Sequence, residues 1–202
     1  SLNAAWKLAH SLLQTGLVDE KGSAALQFVA DHFEAFYGQP FGVACEDEVS
    51  GKLTHICGMA RVHDSCLTLN MNIRYPVITD QELVIARIEQ ECRRHGFTAR
   101  LESNDPPNHV PASLPEVQLL QRICKEAMDI DEPPYAMGGG TYARKLPKAV
   151  GFGPVVREKY PSPFGTERGG AHQPDEVTSL QMQLEGAAAY ALALMGLDEL
   201  ME

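Results

Sequence analysis

The chain has 202 residues, enough for one large domain or two small ones and for a core that needs neither disulfides nor a structural metal. Hydrophobic residues make up 44% and charged residues 22%, which excludes a disordered chain, and no apolar run approaches the roughly 20 residues of a membrane span. With 17 Lys and Arg against 27 Asp and Glu, the net charge is −10. The chain lacks the basic face that a nucleic acid or an anionic membrane demands, so neither partner is expected.

The five cysteines, Cys45, Cys57, Cys66, Cys92 and Cys124, are odd in number and none are spaced C-x-x-C. They read as reduced thiols of a cytoplasmic protein. No signal peptide is expected. SLNAAWKLAH leads straight into a helix pattern without an initiator methionine, which reads as a fragment start.

The spacing predicts a helix over 3–15, capped by Asn3 and ended by Gly16. A second helix is predicted over 24–37, with Ser23 as cap and Leu26, Val29, Ala30, Phe33 and Tyr37 as its stripe. FGVAC at 41–45 is a short candidate strand. LTLNMNIRY at 67–75 alternates strictly, and HICGMARV reads as its hairpin partner across His63-Asp64-Ser65. Thr79 and Glu82 form a capping box for a third helix, closed by His95-Gly96, and FTARLES follows as a strand. This order suits an antiparallel sheet with helices on one face. The proline-rich stretch 104–115 reads as a domain boundary. Ser113 and Glu116 form another capping box before PEVQLLQRICKEAM. AVGFG is predicted as a short buried strand, and Thr178 with Gln181 caps a last helix. The long loop before that helix is of the kind that carries function.

Two places carry residues fit for chemistry. Gly138, Gly139 and Gly140 precede Thr141, Tyr142 and Arg144. Closely spaced backbone N–H groups bind anions, and an arginine grips a carboxylate with two parallel hydrogen bonds. The loop therefore reads as a carboxylate site, with a flexible turn beside a surface arginine as the open alternative. It lacks the G-K-[ST] ending of a phosphate loop. His172, in AHQPDE, is a loop histidine with acidic neighbours and can ligate a metal; an ordinary exposed histidine is the other reading. Asp175 and Glu176 fit the N-terminus of the last helix. The remaining histidines form no ligand set by spacing, and no H-E-x-x-H occurs.

MGGGTYAR, AVGFGP and AHQPDE, in that order before a terminal helix, resemble the PepV-type dipeptidases of the dizinc metallopeptidase superfamily, which also holds carnosinases, carboxypeptidase G and aminoacylase. NAAWKLAHSLL, EDEVSGKLT, LTLNMNIRYP and PPNHVP resemble parts of that family's lid domain. The resemblance implies an α+β and α/β chain. A ferredoxin-like lid lacking its first strand would occupy 1–108, and the C-terminal segment of the catalytic domain 109–202. It implies a zinc-dependent hydrolase of dipeptides or short acylated amino acids, with two zinc ions in the complete enzyme. His172 would be a zinc ligand, Arg144 would hold the substrate carboxylate, and Gly139, Gly140, Thr141 and Tyr142 would shape the subsite.

The sequence contains neither the His-x-Asp nor the Glu-Glu pair from which the family builds its metal site. No complete catalytic set is therefore expected on this chain, and the 202 residues are expected to be inactive alone. The alternative is a stand-alone, non-catalytic binding or assembly module that recognises a carboxylate ligand or a partner chain. An exposed sheet edge would then make a homo-oligomer.

Overall fold

The computed structural model describes residues 2–153, 159–165 and 168–201. The fold is mixed helix and strand with small antiparallel sheets. It divides into two compact units, Ser1–Pro107 with Ala136–Gly138, and Asn108–Tyr135 with Gly139–Glu202.

In the first unit, α1 (Ala4–Thr15) begins where Asn3 accepts hydrogen bonds from the N–H groups of Ala5 and Trp6, and ends at Gly16 in the left-handed region. The Asn3 amide also donates to the Cys57 carbonyl, 3.2 Å away, so the cap is tied to the sheet. Helix α2 (Glu20–His32) starts earlier than its apolar stripe suggests, because Asp19 rather than Ser23 caps it, accepting from Gly22 N–H at 2.7 Å. It stops at His32. Phe33 is core, but it lies past the helix, and the Phe36 carbonyl accepts from the His55 N–H instead of continuing a helical ladder.

Residues 39–41 form a single 3-10 turn (Gln39–Phe41), and the predicted strand over 41–45 does not form. Phe41 and Val43 are buried with an alternating pattern, yet no ladder bonds them. Burial alone produces period-two spacing here. The same holds for 97–103, where Phe97 and Ala99 pack on the core without joining a sheet.

Strands β1 (Glu46–Asp47) and β2 (Gly51–Lys52) form a small antiparallel pair. Strands β3 (Thr54–His63) and β4 (Cys66–Arg74) form the main hairpin. Its two-residue turn, Asp64-Ser65, has both residues at positive φ, as a tight hairpin matched to strand twist requires. On β4, Leu67, Leu69, Met71 and Ile73 pack on the core while Thr68, Asn70, Asn72 and Arg74 face solvent. A bulge between Cys57 and Met59 leaves Gly58 unpaired. It shifts the parity of β3, so that Cys57 opposite Met71 and Ala60 opposite Leu69 lie on one face.

Helix α3 (Gln81–Arg94) is capped by Asp80, which accepts from the N–H groups of Glu82 and Leu83. The Thr79 hydroxyl of the predicted box instead meets Cys45 Sγ at 3.4 Å. Val84, Ile88 and Cys92 recur at four-residue steps on the buried face. They close a core with Phe28, Val29, Phe33, Phe41 and Leu53.

In the second unit, α4 (Pro115–Met128) has Pro115 in its first turn and no side-chain cap, so Ser113 plays no capping role. Asp129 at φ 54° ends it, with Ile130 N–H returning to the Cys124 carbonyl. Helix α5 (Leu180–Met201) follows Ser179, whose hydroxyl accepts from Met182 N–H. The two helices bury their apolar faces on each other through Leu119, Ile123, Met128, Ala189 and Ala193. Gly196 lets them approach closely: a Cβ there would sit 3.0 Å from Leu119. Residues 149–153 form no strand, and among the described residues no parallel pairing occurs.

Candidate functional site

In the second unit, Gly139 and Gly140 run into a 3-10 turn (Tyr142–Lys145). Thr141 caps it, its hydroxyl accepting from Ala143 N–H at 3.3 Å and its carbonyl from Arg144 N–H at 3.2 Å. This turn brings the Arg144 side chain back over Gly140. A Cβ on Gly140 would lie 3.3 Å from both Cδ and Nη1 of Arg144. The absence of a side chain at 140 therefore gives the guanidinium its place beside the loop backbone. Arg144 is exposed, and Tyr142 stands 93% exposed next to it. The loop is an open surface with a cation against a glycine backbone, a form that suits a carboxylate.

His172 lies on a separate loop of the same unit, exposed, with its backbone at φ 66°. That conformation is uncommon for a residue with a Cβ. Hydrogen bonds around it hold it: His172 N–H donates to Glu176 at 3.1 Å, Glu176 N–H to the Gln173 carbonyl, and Val177 N–H to the Gly169 carbonyl. Asp175 accepts from Arg168 Nε at 2.7 Å and from Gly169 N–H. The Arg168 bond, with that of Gly169 behind it, holds the Asp175 carboxyl below its ordinary range. Asp175 and Glu176 thus brace the loop and do not cap α5, which starts later at Leu180.

Among the described residues, His172 belongs to no group of three potential metal ligands. The group that does exist is in the first unit: His32, Glu91 and His95, whose ligand atoms all lie within 4.8 Å of one another. Spacing does not suggest this set, because His32 ends α2 while Glu91 lies in the last turn of α3 and His95 is its C-cap. The local signal was the four-residue step from Glu91 to His95. The Glu91 carboxyl is pushed up by partial burial, but its contacts with His95, Arg94 and His32 outweigh that and leave it below its ordinary range.

Cys57, Cys92 and Cys124 are not activated nucleophiles. Burial pushes the Cys57, Cys92 and Cys124 thiols up, and all five cysteines are free of disulfides. Among the described residues, no helix is long and apolar enough to cross a membrane.

No protein-family model matches the chain. It is 33% identical over 195 residues to a protein of Bacillus subtilis (strain 168) named Putative dipeptidase YtjP, a match covering 96% of this chain and 40% of the relative. It is 27% identical over 166 residues to Putative dipeptidase MW1694 of Staphylococcus aureus (strain MW2), covering 82% of this chain and 34% of that protein. The chain is dipeptidase-like in sequence across nearly its whole length, and it spans well under half the length of these curated relatives.

Proposed function

We propose that this chain is the carboxylate-recognising part of a metal-dependent dipeptidase, acting on dipeptides or short N-acylated amino acids. The likeness to dipeptidase-named proteins supports the reaction class. The observation that carries the reading is the seat of Arg144 over Gly140, where a guanidinium and a bare backbone face outward together. Arg144 grips the substrate's terminal carboxylate through paired N–H groups, and Thr141, Tyr142, Gly139 and Gly140 form the wall around it. In this reading the first unit is the lid, of ferredoxin-like type, and the second is the C-terminal segment of the catalytic domain.

Zinc would polarise the scissile carbonyl and lower the pKa of an attacking water. A catalytic zinc takes about three protein ligands. His172 offers one imidazole with no companion set among the described residues, so the residues present do not fit a complete site. The test is direct. Dipeptides incubated with the purified 202 residues and added zinc are expected to release no free amino acids. Turnover under those conditions, at a rate set by the protein concentration, would overturn the reading of an incomplete site.

The second reading is an assembly module that pairs with a second copy of itself. It is favoured by the β3–β4 hairpin, whose strands form ladders only with each other among the described residues and which exposes Ile56, Met59 and Val62. It predicts a dimer in light scattering at high protein concentration; a monomer mass throughout removes it.

A further inference from the structure

The ends of α2 and α3 meet beneath Phe28, whose ring stacks on His32 with centroids 4.2 Å apart and lies 5.5 Å from His95. The His32 side chain is only 5% exposed, Glu91 18% and His95 40%, so the cluster runs from the core to the surface. His32 Nδ1 lies 2.9 Å from the Phe28 carbonyl. A carbonyl only accepts, so Nδ1 carries a hydrogen. In the neutral ring Nε2 is then a lone pair, and it points at Glu91 Oε1 from 3.4 Å. A lone pair facing a carboxylate oxygen needs a cation between them, either a proton or a metal ion.

The geometry admits the metal. A charge-assisted N–H···O bond is about 2.7–2.9 Å long, and 3.4 Å is well beyond that. In a tetrahedral site with metal–ligand bonds of about 2.0–2.1 Å, neighbouring ligand atoms stand roughly 3.3 Å apart. His32 Nε2 to Glu91 Oε1 is 3.4 Å, and His95 Nε2 to the same oxygen is 3.1 Å. Two imidazole nitrogens thus converge on one carboxylate oxygen, with all three ligand atoms within 4.8 Å of one another, and the 3.1 Å edge is equally the length of a hydrogen bond in the metal-free site. Arg94 Nη1 holds the other oxygen, Oε2, at 2.9 Å, which orients the carboxylate. The Phe28 carbonyl does the same for the His32 ring, the outer support that metal-bound histidines commonly have.

We propose that His32, Glu91 and His95 bind a single divalent transition-metal ion of the zinc class. The ion would tie the C-terminal ends of α2 and α3 together, with its remaining position open to water on the exposed His95 side. Two imidazoles and a carboxylate suit zinc, cobalt or nickel rather than calcium or magnesium. This site is independent of the dipeptidase reading and of His172.

The test titrates the chelator-treated full chain with cobalt(II), following the visible absorption of the bound ion, and with zinc, following histidine ring nitrogens by NMR. The expected result is one equivalent of cobalt with a tetrahedral-type band lacking thiolate charge transfer, and zinc-induced shifts on His32 and His95. Affinity should fall at least about tenfold in Glu91→Gln and His95→Ala and stay unchanged in His172→Ala. If zinc leaves the His32 and His95 rings unshifted, or if cobalt binds His95→Ala as tightly as the parent, the site does not exist and the Nε2–Glu91 contact is proton-bridged. The ring shifts are read on the unsubstituted protein, so a variant that fails to fold does not shield the proposal.

Discussion

His55 is buried to 2% exposure between two backbone groups. Its Nδ1 accepts from Gly38 N–H at 3.1 Å, which leaves Nε2 as the donor to the His32 carbonyl at 2.8 Å. The ring therefore joins three pieces of chain: the start of β3, the end of α2, and the Gly38 turn. Gly38 itself sits at φ 79°, and a Cβ there would fall 2.9 Å from Leu53 and from Val43, so the turn admits no other residue without displacement. Replacing His55 by leucine keeps the bulk but orphans a buried donor and a buried acceptor. The expected loss is about 2–4 kcal/mol, read from urea unfolding. A loss near zero would mean that the two bonds are not made. A histidine beside a hairpin gives no sign of this role in the sequence, because both partners are backbone groups brought in from 17 and 23 residues away.

At the scale of elements, local chemistry was legible and competition between neighbouring caps was not. Asn3 and Gly16 bound α1 as their residue types demand. Asp80 displaces Thr79 at the start of α3, and Asp19 displaces Ser23 at α2. In each case a carboxylate within a few residues takes the orphan N–H groups instead of a hydroxyl. The hairpin β3–β4 was readable because alternation and a two-residue turn coincide there. At 41–45 and 97–103, alternation reports burial alone, and nothing local distinguishes a laddered strand from an extended segment lying on a core.

Helix α5 has its own electrostatic anchor. Glu185 accepts hydrogen bonds from Lys159 Nζ at 2.8 Å, from the Tyr160 hydroxyl, and from Gln181 at 2.7 Å. These bonds, Lys159 first and Tyr160 next, hold the Glu185 carboxyl down at about 2 from 4.5. A carboxyl lowered by folding contributes its stability in full above the unfolded value. That contribution fades as the pH falls from about 4.5 towards 2. Thermal melts of the parent and of Glu185→Gln should therefore differ at neutral pH and converge across that acidic window. A constant difference down to about pH 2 would show that the carboxylate is not ionised in this contact.

On the scale of the whole molecule, two units each hold their own core, and the two candidate sites fall one in each. The Gly140–Arg144 contact spans four residues, within the reach of spacing arguments. The His32–Glu91–His95 cluster joins residues up to 63 positions apart, and only the fold, which brings the end of α2 to the end of α3, reveals it. In the second unit, α4 and α5 take each other as partners for their apolar faces, with Leu119 seated against Gly196. Sequence leaves that choice open, since the same stripes serve equally for a sheet or for another helix. Recognition of a carboxylate by Arg144 is the centre of the proposed function, and a binding titration addresses it most directly. A dipeptide with a free C-terminal carboxylate and its C-terminal amide are each titrated into the parent chain and into Arg144→Ala, with backbone NMR shifts as the readout. The free acid should perturb residues 139–144, and both amidation and Arg144→Ala should weaken binding at least about tenfold, as loss of a charge-assisted pair implies. Equal binding of acid and amide, undiminished binding by Arg144→Ala, or no response at 139–144 would contradict it.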